Sequence, residues 1–242
     1  MKRWLVRTLA CVAIVVAGLA IAVAIHVRTP PTEWSGPPPH DWLSQIRTAS
    51  GFEAWSRWPV VRFRFGGQNR YLWHKHLGWV RSERQGQVVW IDLVRDRCED
   101  PSGPLAPAQC QETRDRFTND AFWFFPLESL LRFADPPLQP KASAERRLWF
   151  HFASGGATPG DGYDVIFGEQ WLITEWAMSV AILPVRGLRA RFVDYQEIAG
   201  VNVSRLRWLF GFIPIRMDEV GFSDRPEDLL PEPWPSWQRS GH

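Results

Sequence analysis

His74 and His76 stand two residues apart in Trp73-His74-Lys75-His76, and on a strand residues at i and i+2 share a face. That is the start of a metal site, which would need a third ligand, and His151 is the only histidine on another expected strand. Isolated histidines on a sheet are more often solvated or hydrogen-bonded, so no metal is expected. Asp161 and Asp164 in Gly160-Asp161-Gly162-Tyr163-Asp164, with Asp120, offer paired carboxylates for acid–base work or calcium. The plainer reading is that an aspartate in a Gly-rich turn bonds its own backbone and that Asp120, after Asn119, caps a following helix. Gly155-Gly156 with Gly160 and Gly162 lacks the Lys-Ser/Thr of a phosphate loop. No nucleophile motif completes itself, so neither catalysis nor a cofactor is expected.

Cys98 and Cys110 flank an eleven-residue Pro-rich stretch. In an exported domain such a pair reads as a disulfide; zinc would need more ligands nearby, and two unpaired loop cysteines remain the third reading. Export is expected from the N-terminus. Lys2, Arg3 and Arg7 precede an uncharged apolar run at residues 8–25, followed by His26, Arg28 and a segment rich in proline. This predicts a single-pass inner-membrane anchor, N-terminus in the cytoplasm and the rest in the periplasm or outside the cell. The alternative is a signal peptide cut near Ala24 and a secreted product. Cys11 lies near the start of the apolar run rather than after it, which argues against lipidation. The 28 Lys and Arg nearly balance 26 Asp and Glu, giving +2, so no nucleic-acid partner is expected.

Positioning elements follow from the pattern. Residues 1–28 form the anchor or signal, 29–40 a stiff Pro-rich linker, 41–223 the folded domain, and 224–242 an irregular tail. Helices are expected over 41–55 and 118–134. Val60–Phe65 alternates Val61, Phe63 and Phe65 with Arg62 and Arg64, and nine or so strands at hairpin spacing predict a large antiparallel sheet. The unusual count is 15 Trp and 15 Phe against 3 Tyr. Four aromatics run consecutively from Phe122 to Phe125 before Pro126, and Leu127, Leu130 and Leu131 then repeat at helical spacing. This segment is expected to lie on one face of the sheet.

The order of motifs, Asn119-Asp120 with Trp123, Pro126 and Leu127, then Gly160-Asp161 with Tyr163, then Trp176, then Asp194-Tyr195 and Gly200, resembles a family of uncharacterised bacterial exported domains related to the lipoprotein-localisation carriers LolA and LolB. The resemblance spans roughly residues 55 to 222. It implies a mainly β, α+β fold, in which a curved antiparallel sheet forms an unclosed half-barrel under a helical lid, with an apolar cavity between them. A lipid or an acylated protein is the partner so implied. Cavity candidates are Phe63, Phe65, Trp73, Trp90, Phe122, Trp123, Phe125, Trp149 and Trp176; each could instead be ordinary core, and a structural or protein-interaction module with a filled core is the competing reading. Two departures bear on shuttling: the chain keeps an anchor, and it lacks the lipoprotein cysteine of the outer-membrane receptor.

Overall fold

Short segments of alternating or β-branched residues separated by Gly-bearing turns pair with their sequence neighbours, because a two- to five-residue turn leaves no other partner in reach. A computed structural model of the chain describes residues 18, 27–153, 160–181 and 186–230. The strands are β1 (Val60–Phe65), β2 (Asn69–His74), β3 (Trp79–Arg84), β4 (Gln87–Asp92), β5 (Arg97–Asp100), β6 (Gly103–Pro104), β7 (Arg146–His151), β8 (Gly162–Phe167), β9 (Ile173–Ser179), β10 (Leu188–Ile198), β11 (Val201–Leu209) and β12 (Ile213–Ser223). They form one antiparallel sheet in the order β6-β5-β4-β3-β2-β1-β12-β11-β10-β9-β8-β7. Two meanders are thus joined through the β1–β12 ladder, and the sheet is unclosed, with β6 and β7 as its edges. The membrane segment expected at 8–25 lies outside the described residues except for Gly18.

Twelve strands replace the nine or so expected, because the stretch 69–83 is two strands, not one, and β5 and β6 add two more around the Cys98 loop. The chain turns between His74 and Trp79, where Gly78 takes φ 68° and its N–H donates to the His74 carbonyl. His74 therefore ends a strand while His76 sits in the turn.

Helices α1 (His40–Ser50) and α2 (Phe52–Arg57) are separated by Gly51, whose left-handed φ of 69° ends α1. A Cβ there would meet the Gly200 carbonyl, so backbone passes directly against backbone. Helix α3 (Pro107–Phe124) begins at Pro107 and is supported by Gln111–Asp115 and Glu112–Arg116 pairs one turn apart. It starts eleven residues before the helix expected at 118. Asn119 and Asp120 lie well inside it and cap nothing. Pro126 ends α3, since the residue before proline is driven out of helical geometry, and opens α4 (Pro126–Arg132).

The four helices α1 to α4 cover one face of the sheet. Val61, Phe63, Tyr71, Val80, Ile91, Leu148, Phe150, Val165 and Trp176 point to that side and are buried with Trp55, Phe117, Phe124 and Leu130 of the helices. The opposite face carries a smaller cluster of Val60, Leu72, Trp79 and Trp90, covered by Leu229 and Leu230 after a 3-10 turn at Pro226–Asp228. The Pro-rich stretch is not held away from the domain: Trp34 bridges to Pro140 and lies 5.5 Å from the Trp149 ring, and Ser35 bonds Gln139.

Cys98 of β5 is disulfide-bonded to Cys110 of α3, twelve residues on. Titration of the denatured, unreduced protein is expected to find Cys11 as its only thiol. Reduction should lower the unfolding free energy by about 3 kcal/mol in the chain-entropy account. Three reactive thiols before reduction would contradict the bridge.

Candidate functional site

The four consecutive aromatics are divided between different walls. Phe122 stacks on Trp176 at 5.4 Å and 16°, and Trp123 meets the same indole edge-on at 4.8 Å. Phe124 stacks on Phe63 at 4.2 Å and 2°, while Phe125 stacks on Trp55 of α2 at 4.3 Å and 19°. Successive residues on a helix turn by about 100°, so four in a row cannot share one face. They are all shielded because the sheet and α2 meet them from different directions.

Seven of the nine aromatic candidates belong to this interior. Phe63, Phe125, Trp123 and Trp176 are buried in it, and Phe65, Trp73 and Phe122 pack against it half-buried. Trp90 does not: it lies on the other face, 5.7 Å from Trp79. Trp149 also departs, because its neighbours Leu148 and Phe150 point inward and leave its ring with Trp34 and Gly162. A one-residue change of parity accounts for both corrections.

The rings fill the space they enclose. Beside Ser50, Phe124, Leu127, Phe192, Tyr195 and Arg207 a void of only about 20 Å³ remains, room for one water. Arg207 of β11 is the polar residue that sequence reasoning missed. It is 1% exposed and donates to the Ser204 carbonyl at 2.7 Å and the Phe124 carbonyl at 3.0 Å, with its guanidinium 5.2 Å from the Phe192 ring. The Phe124 carbonyl is one of those a helix end leaves without an internal partner, and Arg207 satisfies it. No carboxylate pairs with Arg207 among the described residues, and burial lowers its pKa to about 9. Its sequence context, Ser204-Arg205-Leu206-Arg207, gives no parity signal, since Arg205 on the same phase ion-pairs with Asp218 instead.

Asp120 is the second buried ionisable group of this interior. It accepts from Asn69 Nδ2 at 2.7 Å, Tyr71 OH at 2.8 Å and Asn119 Nδ2 at 3.1 Å, linking α3 to β2. Burial pushes its pKa up despite these donors. The other two aspartates are not turn residues bonding their own backbone. Asp161 accepts from the Ala181 N–H across the sheet end, and Asp164, fully buried on the outer face, takes a two-pronged bond from Arg147.

The histidines do not converge. The His74 and His76 rings are 6.4 Å apart, His76 reaches the Ser56 carbonyl, and His151 pairs with Asp135 on edge strand β7. Among the described residues no three metal-ligating side chains come together.

A carboxyl whose pKa is raised by folding stabilises the fold most when protonated in both states. Its contribution is complete below the unfolded pKa near 4 and is lost as pH rises through the folded value. Wild type should therefore lose stability relative to Asp120→Asn as pH climbs from 4, by about 1.4 kcal/mol per pH unit at steepest. Thermal melts of both proteins between pH 4 and 8 check this. A difference that stays constant or grows in favour of wild type would contradict it.

Compared with known proteins, the chain matches no family model, no curated protein and no solved structure.

Proposed function

We propose that this chain is a non-catalytic domain of the bacterial cell envelope, held to the inner membrane by residues 8–25, and that it takes up an apolar or lipid moiety between sheet and helices. The sheet is read as a LolA/LolB-like half-barrel and α3–α4 as its lid. The supporting observation is the contact between them. Around Phe122 to Phe125 it consists of aromatic faces and one guanidinium bonded to a helix-end carbonyl, with Asp120 and its donors Asn69 and Tyr71 beside them. Apolar contacts of that kind are non-directional, so an acyl chain can take the place of the rings on the sheet, at the cost of the Arg207 bond to the Phe124 carbonyl. The void of about 20 Å³ means that uptake requires those rings to move away from the sheet. The disulfide in β5 and α3 supports an oxidising compartment.

The small void favours a second reading, in which the rings are permanent core and the domain is a structural or interaction module. A fluorescent fatty-acid probe separates the two. A chain beginning at Val27 retains the contacts of Arg28 and Trp34. It is expected to bind the probe, and Trp123→Ala to alter that binding at a temperature where circular dichroism shows both folded. The same substitution should cost about 3–5 kcal/mol of stability. A wild-type chain that binds no probe and carries no lipid in organic extracts would leave the filled-core reading standing.

A further inference from the structure

The chain joins the sheet at a defined place. Val27 bridges to Leu188 and the Arg28 N–H donates to the Gly187 carbonyl at 2.8 Å, where β10 begins. The apolar run ends at Ile25, two residues earlier, and two residues of extended chain reach about 7 Å. Whatever surrounds Ile25 therefore also lies against this end of the sheet.

At the same end stands the β11–β12 turn. Ala190 near the start of β10 pairs with Leu209, and the Phe210 N–H donates to the Arg189 carbonyl at 3.1 Å. The turn reads Phe210-Gly211-Phe212-Ile213, with Phe212 45% and Ile213 39% exposed and the two phenyl rings 6.2 Å apart. Phe210 adopts φ 53° and Gly211 φ 73°. A left-handed position in a hairpin turn is normally filled by Gly, Asn or Asp, and a bulky ring there is strained. A turn built only to reverse the chain in water would carry polar residues at these positions.

Beside the turn the outer face is rich in arginine. Arg28, Arg147, Arg189 and Arg191 line a groove of about 550 Å³. Asp164 and Glu175 are shared among the first three, Glu145 borders Arg147, and Arg191 is exposed, so four guanidinium groups meet three carboxylates. Exposed aromatics below a belt of arginine match the layering of a bilayer surface, where rings sit at the acyl boundary and guanidinium groups meet phosphates.

Resting on the reading of residues 8–25 as an anchor, we propose that the domain stands end-on against the membrane, with Phe210, Phe212 and Ile213 inserted at the interface and Arg189 and Arg191 facing lipid phosphates. The opposite end of the sheet, marked by Val94 in the β4–β5 turn and 74% exposed, then points away. Strand β12 alone, with eleven residues, separates the two ends by roughly 35 Å.

Full-length Cys11→Ser protein in phosphatidylcholine–phosphatidylglycerol vesicles is the test, spin-labelled in turn at Phe212→Cys, Ile213→Cys and Val94→Cys. The Phe212 and Ile213 labels should be relaxed by dissolved oxygen and protected from a water-soluble nickel chelate, and the Val94 label the reverse. Protein that stays with vesicles through alkaline carbonate but leaves the first two labels as chelate-accessible as the third overturns the proposal and leaves the anchor intact. Protein released by carbonate overturns both. The use of two tip positions guards against one substitution disturbing the turn.

Discussion

Pro126 dictates how the helical layer meets the sheet. Without it α3 would continue, and a helix carrying Phe122 to Phe125 in uninterrupted turns would aim at least one ring at solvent. The break puts Phe125 at φ −137° and ψ 77°, which releases its side chain from the helical progression and lets it stack on Trp55 of α2. It also leaves the Phe124 carbonyl without a helical partner in an apolar interior, a cost of roughly 1–3 kcal/mol if nothing answered it. Arg207 answers it from β11. The buried arginine is thus a consequence of the proline.

Apolar burial supplies most of the favourable energy in such an interior, but it does not choose a position, since one ring face serves about as well as another. One covalent and two polar attachments do the choosing for α3. The disulfide from Cys98 holds its first turn, Asp120 takes donors from Asn69 and Tyr71 of β2 near its last turns, and Arg207 holds the carbonyl at its end. They come from strands in both meanders, so the helix is located relative to both halves of the sheet. Losing any one leaves a buried group unpaired or a longer unconstrained chain, which is why these few contacts weigh more than their number.

Legibility in the sequence followed from whether the determining contacts were local. The strand at Val60–Phe65 was readable because arginine alternates with large apolar residues. Gln87–Asp92 was not readable by face, because Val88, Val89, Trp90 and Ile91 form an unbroken apolar run, and Trp90 fell on the side away from the helices. The turn at His74 to Gly78 was hidden for want of Pro, Asn or Asp. Asp120 looked like a cap because Asn-Asp often starts helices, whereas its partners Asn69 and Tyr71 lie about fifty residues back and only the tertiary fold brings them near. Arg205 and Arg207 are likewise indistinguishable in sequence and differ only in which neighbour the sheet provides.

The outer-face ion network adds a mechanical constraint to this fold. Asp164 is wholly buried on β8, and Arg28 reaches it and Glu175 of β9 from the segment that leads into α1. Breaking a buried pair by removing one partner costs about 3–5 kcal/mol, because the other charge is stranded. Arg147 and Arg189 share the same carboxylates, so the network would survive loss of Arg28 better than an isolated pair, but Arg28 itself would have to be rehydrated. A Pro-rich stretch normally acts as a spacer that sets distance and leaves orientation loose. Here the stretch is fastened at Arg28, Trp34 and Ser35, and the orientation of the sheet is tied to the direction from which the chain arrives.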